Sequence, residues 1–177
     1  MKKMNSQKGF TLIELLIVIA IIAVLAVAFL PTLLGAPAKG RDTSRIATLQ
    51  KIQKVLVNAN LEGHSYPGTQ CVIKDFGKDV SFATKTDDAY YLTSFGGALP
   101  VDPQAGNTVK TKGISAGCDT AFAYEKAPAT GYAFGLYAKL ERQASANASC
   151  AALVTNPVDL TTKATADTDA CYAVLTQ

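Results

Sequence analysis

From Gly9 the chain reads GFTLIELLIVIAIIAVLAVAFLP, and between residues 10 and 30 only Thr11 and Glu14 are polar. As a helix rising about 1.5 Å per residue, this run is long enough to cross the roughly 30 Å hydrocarbon core of a bilayer. A carboxylate inside such a span costs about 2.5–3.5 kcal/mol on insertion scales, so Glu14 calls for a compensating partner. A cleaved secretory signal has a shorter apolar region of about 7–15 residues, followed by a small-residue site. Ala36 and Ala38 imitate such a site, but the run before them is too long. A plain membrane anchor explains the length and the flanking charge, yet leaves Glu14 without a purpose.

Charge is distributed to match. Lys2, Lys3 and Lys8 account for the whole formal charge of +3, so from Phe10 onward bases and acids balance. A surface of zero net charge avoids long-range self-repulsion when many copies pack together. Charged residues make up 18% of the chain, below the roughly 25% usual for soluble domains, which argues against a nucleic-acid binder or a disordered polyelectrolyte. Beyond the apolar run there is chain enough for one core and too little for two.

The run K-G-F-T-L-I-E at residues 8–14 resembles the cleavage and assembly signature of type IV pilins and their pseudopilin relatives. The resemblance covers about the first thirty residues. It implies that residues 1–9 are a leader held on the cytoplasmic side, cut between Gly9 and Phe10 by a membrane-embedded prepilin peptidase that then methylates the new amino group of Phe10. It further implies that residues 10–34 stay attached as a transmembrane helix and later form a filament core. Glu14 would then pair with the amine of Phe10 on a neighbouring copy. Each charge alone is costly in an apolar bundle, whereas the pair is tolerated and fixes one axial offset between subunits. The partners implied are further copies of the chain in a helical filament, the prepilin peptidase, an inner-membrane platform protein and an assembly ATPase. The implied location is the cytoplasmic membrane before assembly and the cell surface afterwards.

Pro31 removes one helical hydrogen bond and clashes with the preceding turn, so a kink or local opening is expected over residues 27–31. By resemblance to family members in filaments, the loosened segment would fall within residues 23–31; a simple helix end is the alternative. Residues 35–65 read as the amphipathic half of a long helix. Asp42, Thr43 or Ser44 offers a cap, and Ile46, Leu49, Ile52, Val55, Leu56 and Ala59 form one apolar stripe. Arg45, Lys51, Lys54 and Asn58 fall elsewhere on the wheel. Gly63, Pro67 and Gly68 end the helix.

The head, residues 66–177, is expected to be a small antiparallel sheet packed on that helix, making the fold α+β. Phe122 and Tyr124, then Tyr132, Phe134, Leu136 and Leu140, alternate with smaller residues as in a hairpin with one apolar and one wetter face. Residues 89–92 form a helical turn or a short strand, and a last strand is expected at 171–175, tied back by Cys150. Tyr66-Pro67 and Leu99-Pro100-Val101-Asp102-Pro103 resemble the Y-P and L-P-x-D-P features of pseudopilin-like heads. Cys71, Cys118, Cys150 and Cys171 all follow the apolar run, which suggests disulfides in an oxidising compartment. Pairing neighbours, Cys71 with Cys118 and Cys150 with Cys171, needs the least chain crossing. With no C-x-x-C pair and a single histidine, a zinc site is not expected. No cofactor is expected. Asp102, Asn107 and Asp119 offer oxygens for calcium, but the chain lacks the tryptophan that follows the L-P-x-D-P turn in the major pseudopilins, which puts that site in doubt.

No phosphate loop, zincin motif or nucleophile elbow is present, so the chain reads as an enzyme's substrate and not as an enzyme. His64 reads as a surface or capping residue, Asp87-Asp88 as a solvated pair, and Asn147-Ala148-Ser149 as a three-residue glycosylation match. Three functions stay open: a structural pilin serving adhesion, twitching motility or DNA uptake; a pseudopilin acting as a periplasmic piston for secretion; and a monomeric membrane-tethered binding domain.

Overall fold

In a computed structural model, the structure describes residues 9–64, 66–67, 70–71, 94–95, 98, 100–104 and 122–177. The chain divides into two compact units, one ending at Pro37 and the other spanning Ala38–Gln177. The first is dominated by helix α1, Leu12–Leu34, whose 19-residue stretch Leu12–Leu30 is long and apolar enough to cross a membrane. The large side chains of residues 12–30 are exposed, with Val24 and Val27 above 70%.

Backbone helix continues through residues 27–34, so the opening expected over 23–31 does not occur in this isolated chain, and the interruption falls at Gly35. Proline forfeits one hydrogen bond but already has a helical φ, whereas glycine has the larger conformational entropy to lose. Helix α2, Ala36–Leu61, begins directly afterwards. Asp42, Thr43 and Ser44 therefore lie inside it and do not cap a new start. Thr43 turns its hydroxyl back to the Lys39 carbonyl at 2.9 Å. The helix ends in a Schellman arrangement: His64 N–H donates to the Ala59 carbonyl and Gly63 N–H to that of Asn60, with Gly63 at φ 93°.

Among the described residues the head carries a five-stranded antiparallel sheet in the order β1-β2-β3-β5-β4. The strands are β1 (Gln70–Cys71), β2 (Ala123–Lys126), β3 (Phe134–Lys139), β4 (Ala148–Ser149) and β5 (Ala170–Thr176). A six-residue helix α3, Cys150–Thr155, follows β4 directly. The central strand β3 pairs with β2 from Ala123↔Tyr137 to Lys126↔Phe134, and with β5 from Phe134↔Thr176 to Lys139↔Cys171.

Strand alternation sends Tyr124, Phe134, Leu136 and Ala138 to one face, where Leu49, Ile52, Leu56 and Ala59 of α2 meet them. Tyr66 joins this core with its ring 5.1 Å from that of Phe134, while the Pro67 carbonyl accepts the Tyr124 hydroxyl at 3.1 Å. The Y-P pair thus closes the bottom of the core. The opposite face was expected to be wetter, yet β3 is buried along almost its whole length. The carboxyl-terminal segment covers it: Ala123, Tyr137, Cys171 and Ala173 pack with Ala148 and with Leu153 of α3. Alternation in β2 and β3 showed which residues point each way, but not that a polar tail would return to cover the second face.

Cys150 and Cys171 are joined, with Cα atoms 5.0 Å apart. The Cys71–Cys118 pairing, residues 89–92 and Asp87-Asp88 lie outside the described residues.

Tyr137 lies over Gly135, where an added Cβ would run into its ring, and its buried hydroxyl has no hydrogen-bond partner among the described residues. Burial and the nearby Glu125 carboxylate both push this phenol's pKa upward. Gly135→Ala is expected to destabilise the head by about 1–3 kcal/mol through overpacking. Tyr137→Phe, which removes an unsatisfied hydroxyl, should leave the thermal midpoint unchanged or raise it. Circular dichroism melts of the two variants check this, and a clear drop for Tyr137→Phe would mean that the hydroxyl has a partner after all.

Candidate assembly helix and the buried arginine joint

Gly9 and Phe10 are exposed, non-helical residues immediately before α1, with Phe10 85% exposed. Thr11 is where the helix starts: Leu15 N–H bonds to its carbonyl at 3.3 Å. The Glu14 carboxylate reaches back to the Thr11 N–H at 2.9 Å and to its hydroxyl at 2.7 Å, while Glu14 N–H donates to the Thr11 hydroxyl oxygen at 3.3 Å. This is a capping box, in which first-turn N–H groups are satisfied by side chains and a negative charge lies at the positive end of the helix dipole. The T-x-x-E spacing announces it in the sequence. The carboxylate is thereby held one turn behind Phe10, at the exposed amino end of an apolar rod.

A second polar assembly lies in the head. The Arg45 side chain is fully buried, although helical periodicity had set it off the apolar stripe. Its guanidinium forks onto Asp102 at 2.8 and 2.9 Å and bonds Asp42 at 2.9 Å and Glu141 at 2.7 Å. Arg41 joins from the rim through Glu141 at 2.7 Å. Asp42 also accepts from the backbone N–H groups of Glu141 and Arg142, at 2.9 and 3.1 Å. Asp102 takes the Gln104 N–H at 2.8 Å, which folds the P-V-D-P turn on itself. Burial opposes the charge on Arg45, but its bonds to Asp102 and Glu141 more than offset this and hold its pKa above the ordinary value.

Asp102 accepts from Arg45, and Asn107 and Asp119, its expected companions around calcium, lie outside the described residues. Among the described residues no group of three or more His, Cys, Asp or Glu side chains is arranged to hold a metal. His64 serves the α2 terminus through its backbone. The glycosylation match is also accounted for structurally. Asn147 accepts from the Ala173 N–H and donates to the Ala173 carbonyl, both at 2.8 Å, standing in for a strand along the outer edge of β5. Ser149 caps α3 by accepting from Ala152 N–H at 3.2 Å, and donates to Asp169 at 2.6 Å.

An exposed apolar helix, long enough to cross a membrane and carrying a capped acid in its first turn, precedes an α+β head. Residues 4–30 match the family model described as the prokaryotic N-terminal methylation motif. The relatives are type IV pilins and type II secretion proteins. The chain is 43% identical over 74 residues to the type IV wide pilus major component PilA4 of Thermus thermophilus, covering 42% of this chain and 56% of that one. It is 35% identical over 69 residues to the type II secretion system core protein G of Escherichia coli, covering 39% and 48%. It is 35% identical over 83 residues to a fimbrial protein of Pseudomonas aeruginosa, covering 47% and 53%. The chain thus spans about half the length of the curated relatives it matches. No solved structure matches it.

The Glu141 carboxyl is drawn from 4.5 down to about 2, first by the Arg41 hydrogen bond, with burial opposing and Arg45 adding to the effect. A depressed pKa stabilises the fold above the unfolded value and loses that contribution as pH falls through the folded one. The head's melting temperature should therefore hold above pH 4.5 and fall between about pH 4.5 and 2. Glu141→Gln should flatten that fall without abolishing it, because Asp159 is also depressed by the Thr161 and Thr162 hydroxyls. Melts across pH in detergent check this; identical slopes for the two proteins would refute it.

Proposed function

We propose that this chain is a structural subunit of a type IV pilus, cut by a prepilin peptidase and polymerised through α1 into a surface filament. The observation that carries this reading is the position of Glu14. A carboxylate at the start of an otherwise apolar, exposed helix lies one turn from the residue whose amine would be released by cleavage after Gly9. In a bundle of such helices, the amine of one copy neutralises the acid of another, and the contact forms at one axial offset only. The chain then acts as a building unit and as the substrate of the peptidase, not as a catalyst. Before assembly α1 would hold it in the cytoplasmic membrane; afterwards the disulfide-tied segment 143–177 would face outward, where adhesion, motility or DNA uptake would use it. An inner-membrane platform protein and an assembly ATPase would drive polymerisation.

A second reading, a pseudopilin forming a short periplasmic piston, is favoured by the structural use of Tyr66-Pro67 and of the Asp102 turn. The pilus reading is preferred because the pilus component is the more identical relative, at 43% against 35% for the secretion core protein. Electron microscopy of sheared cell-surface material separates the two, and also a monomeric tether: long fibres containing this chain are expected for a pilin. Their absence from cells that make the processed protein would remove the pilin reading.

Two variants test the amino-terminal chemistry. Gly9→Val should leave full-length precursor in the membrane, and mass spectrometry of a normal mature product starting at Phe10 would disprove the cleavage site. Glu14→Ala should be processed and keep a folded head but lose most of its filament yield. A yield equal to wild type would remove the charge-pairing role.

A further inference from the structure

We infer that the Arg45 cluster is the mechanical joint of the head, the place where tension arriving from α1 passes into the sheet. This rests on the filament reading, since only an anchored, assembled subunit is pulled. The argument begins with connectivity. Any force transmitted along the chain from α1 enters the unit Ala38–Gln177 at its first residues. The side chains it meets there, before the first fully buried apolar residue of α2 at Leu49, include Arg41, Asp42 and Arg45. All three bind the Glu141–Arg142 corner, and Arg45 also forks onto Asp102.

That corner closely follows β3, the strand hydrogen-bonded to both β2 and β5. Strand β5 in turn carries Cys171, covalently joined to Cys150. One short chain of bonds thus leads from the tether through α2, Asp42 and Arg45 to β3, then across the ladder to β5 and the disulfide-tied tail.

The chemistry suits a joint better than it suits simple stabilisation. A buried ion network adds little equilibrium stability over well-packed apolar residues of the same volume, so stability alone does not account for a fully buried arginine with three acids. Charge-assisted, forked hydrogen bonds are directional and demand fixed geometry. Apolar contacts are non-directional and tolerate sliding. Placing the directional contacts where α2 enters the head protects the sliding core behind them.

The test is force-clamp spectroscopy on the full chain in detergent micelles, held by peptide tags at both termini. Wild type is compared with Arg45→Lys, which keeps the charge and loses the fork, with Glu141→Gln, which keeps an acceptor and loses the charge, and with Leu153→Ala, which weakens the second core away from the joint. Losing one charge-assisted hydrogen bond from the load path implies unfolding roughly tenfold faster or more at the same force for the two joint variants. Leu153→Ala should lower the denaturant midpoint at least as much, with a smaller effect on lifetime under load. If Leu153→Ala shortens that lifetime as much as the joint variants do at equal loss of midpoint, or if both joint variants unfold like wild type, the inference is overturned. The measurement needs no filament, so a failure to find fibres on cells would strike the pilus reading and not this result.

Discussion

A fully buried guanidinium ties three separate parts of this head to one point. Left alone, it would be too costly to keep inside a protein; breaking such a pair by removing one partner typically costs about 3–5 kcal/mol. Arg45 is admitted because three carboxylates from three parts of the chain converge on it: Asp42 from its own helix, Asp102 from the proline-flanked turn, and Glu141 from the end of β3. The α2–sheet packing, the P-V-D-P turn and the exit from the central strand are thereby coupled. The apolar core of Leu49, Ile52, Leu56, Phe134 and Leu136 supplies the non-directional attraction. The arginine adds directional bonds to it, each with a fixed geometry.

The amino-terminal helix follows the opposite principle. Its apolar side chains are exposed. What a head buries internally, residues 12–30 of α1 leave uncovered in the single chain. The capping box gives Glu14 a place in the isolated chain, since its carboxylate completes the first turn of its own helix. Assembly would then require that carboxylate to share its Thr11 donors with an incoming amine, which brings a positive charge to an acid already fixed in position.

The tail does more than decorate the surface. Residues 143–177 contribute the edge strand β4, the short helix α3, the strand β5 beside the centre of the sheet, and the cover of its second face. Asn147 closes part of the outer edge of β5 with its carboxamide, a polar device against unwanted strand pairing. A segment rich in alanine, threonine and aspartate can do this because small side chains let a helix sit close to the sheet, while the Cys150–Cys171 bond holds the ends together.

Much of this was legible in the residues. The apolar run and its lone acid, the α2 stripe and the hairpin alternation follow from local period; the Cys150–Cys171 link was the favoured one of three pairings, and the structure forms it. The capping box is equally legible, as T-x-x-E before an apolar run. Periodicity cannot reveal that Arg45 is buried, because the acids that license its burial lie 57 and 96 residues away in sequence. Nor can alternation in β2 and β3 show that a polar tail covers their second face. Local sequence determined the elements and the anchor, because those depend on neighbours within a turn or a strand. The tertiary structure alone decided which charges could leave water, because that depends on where distant carboxylates come to rest.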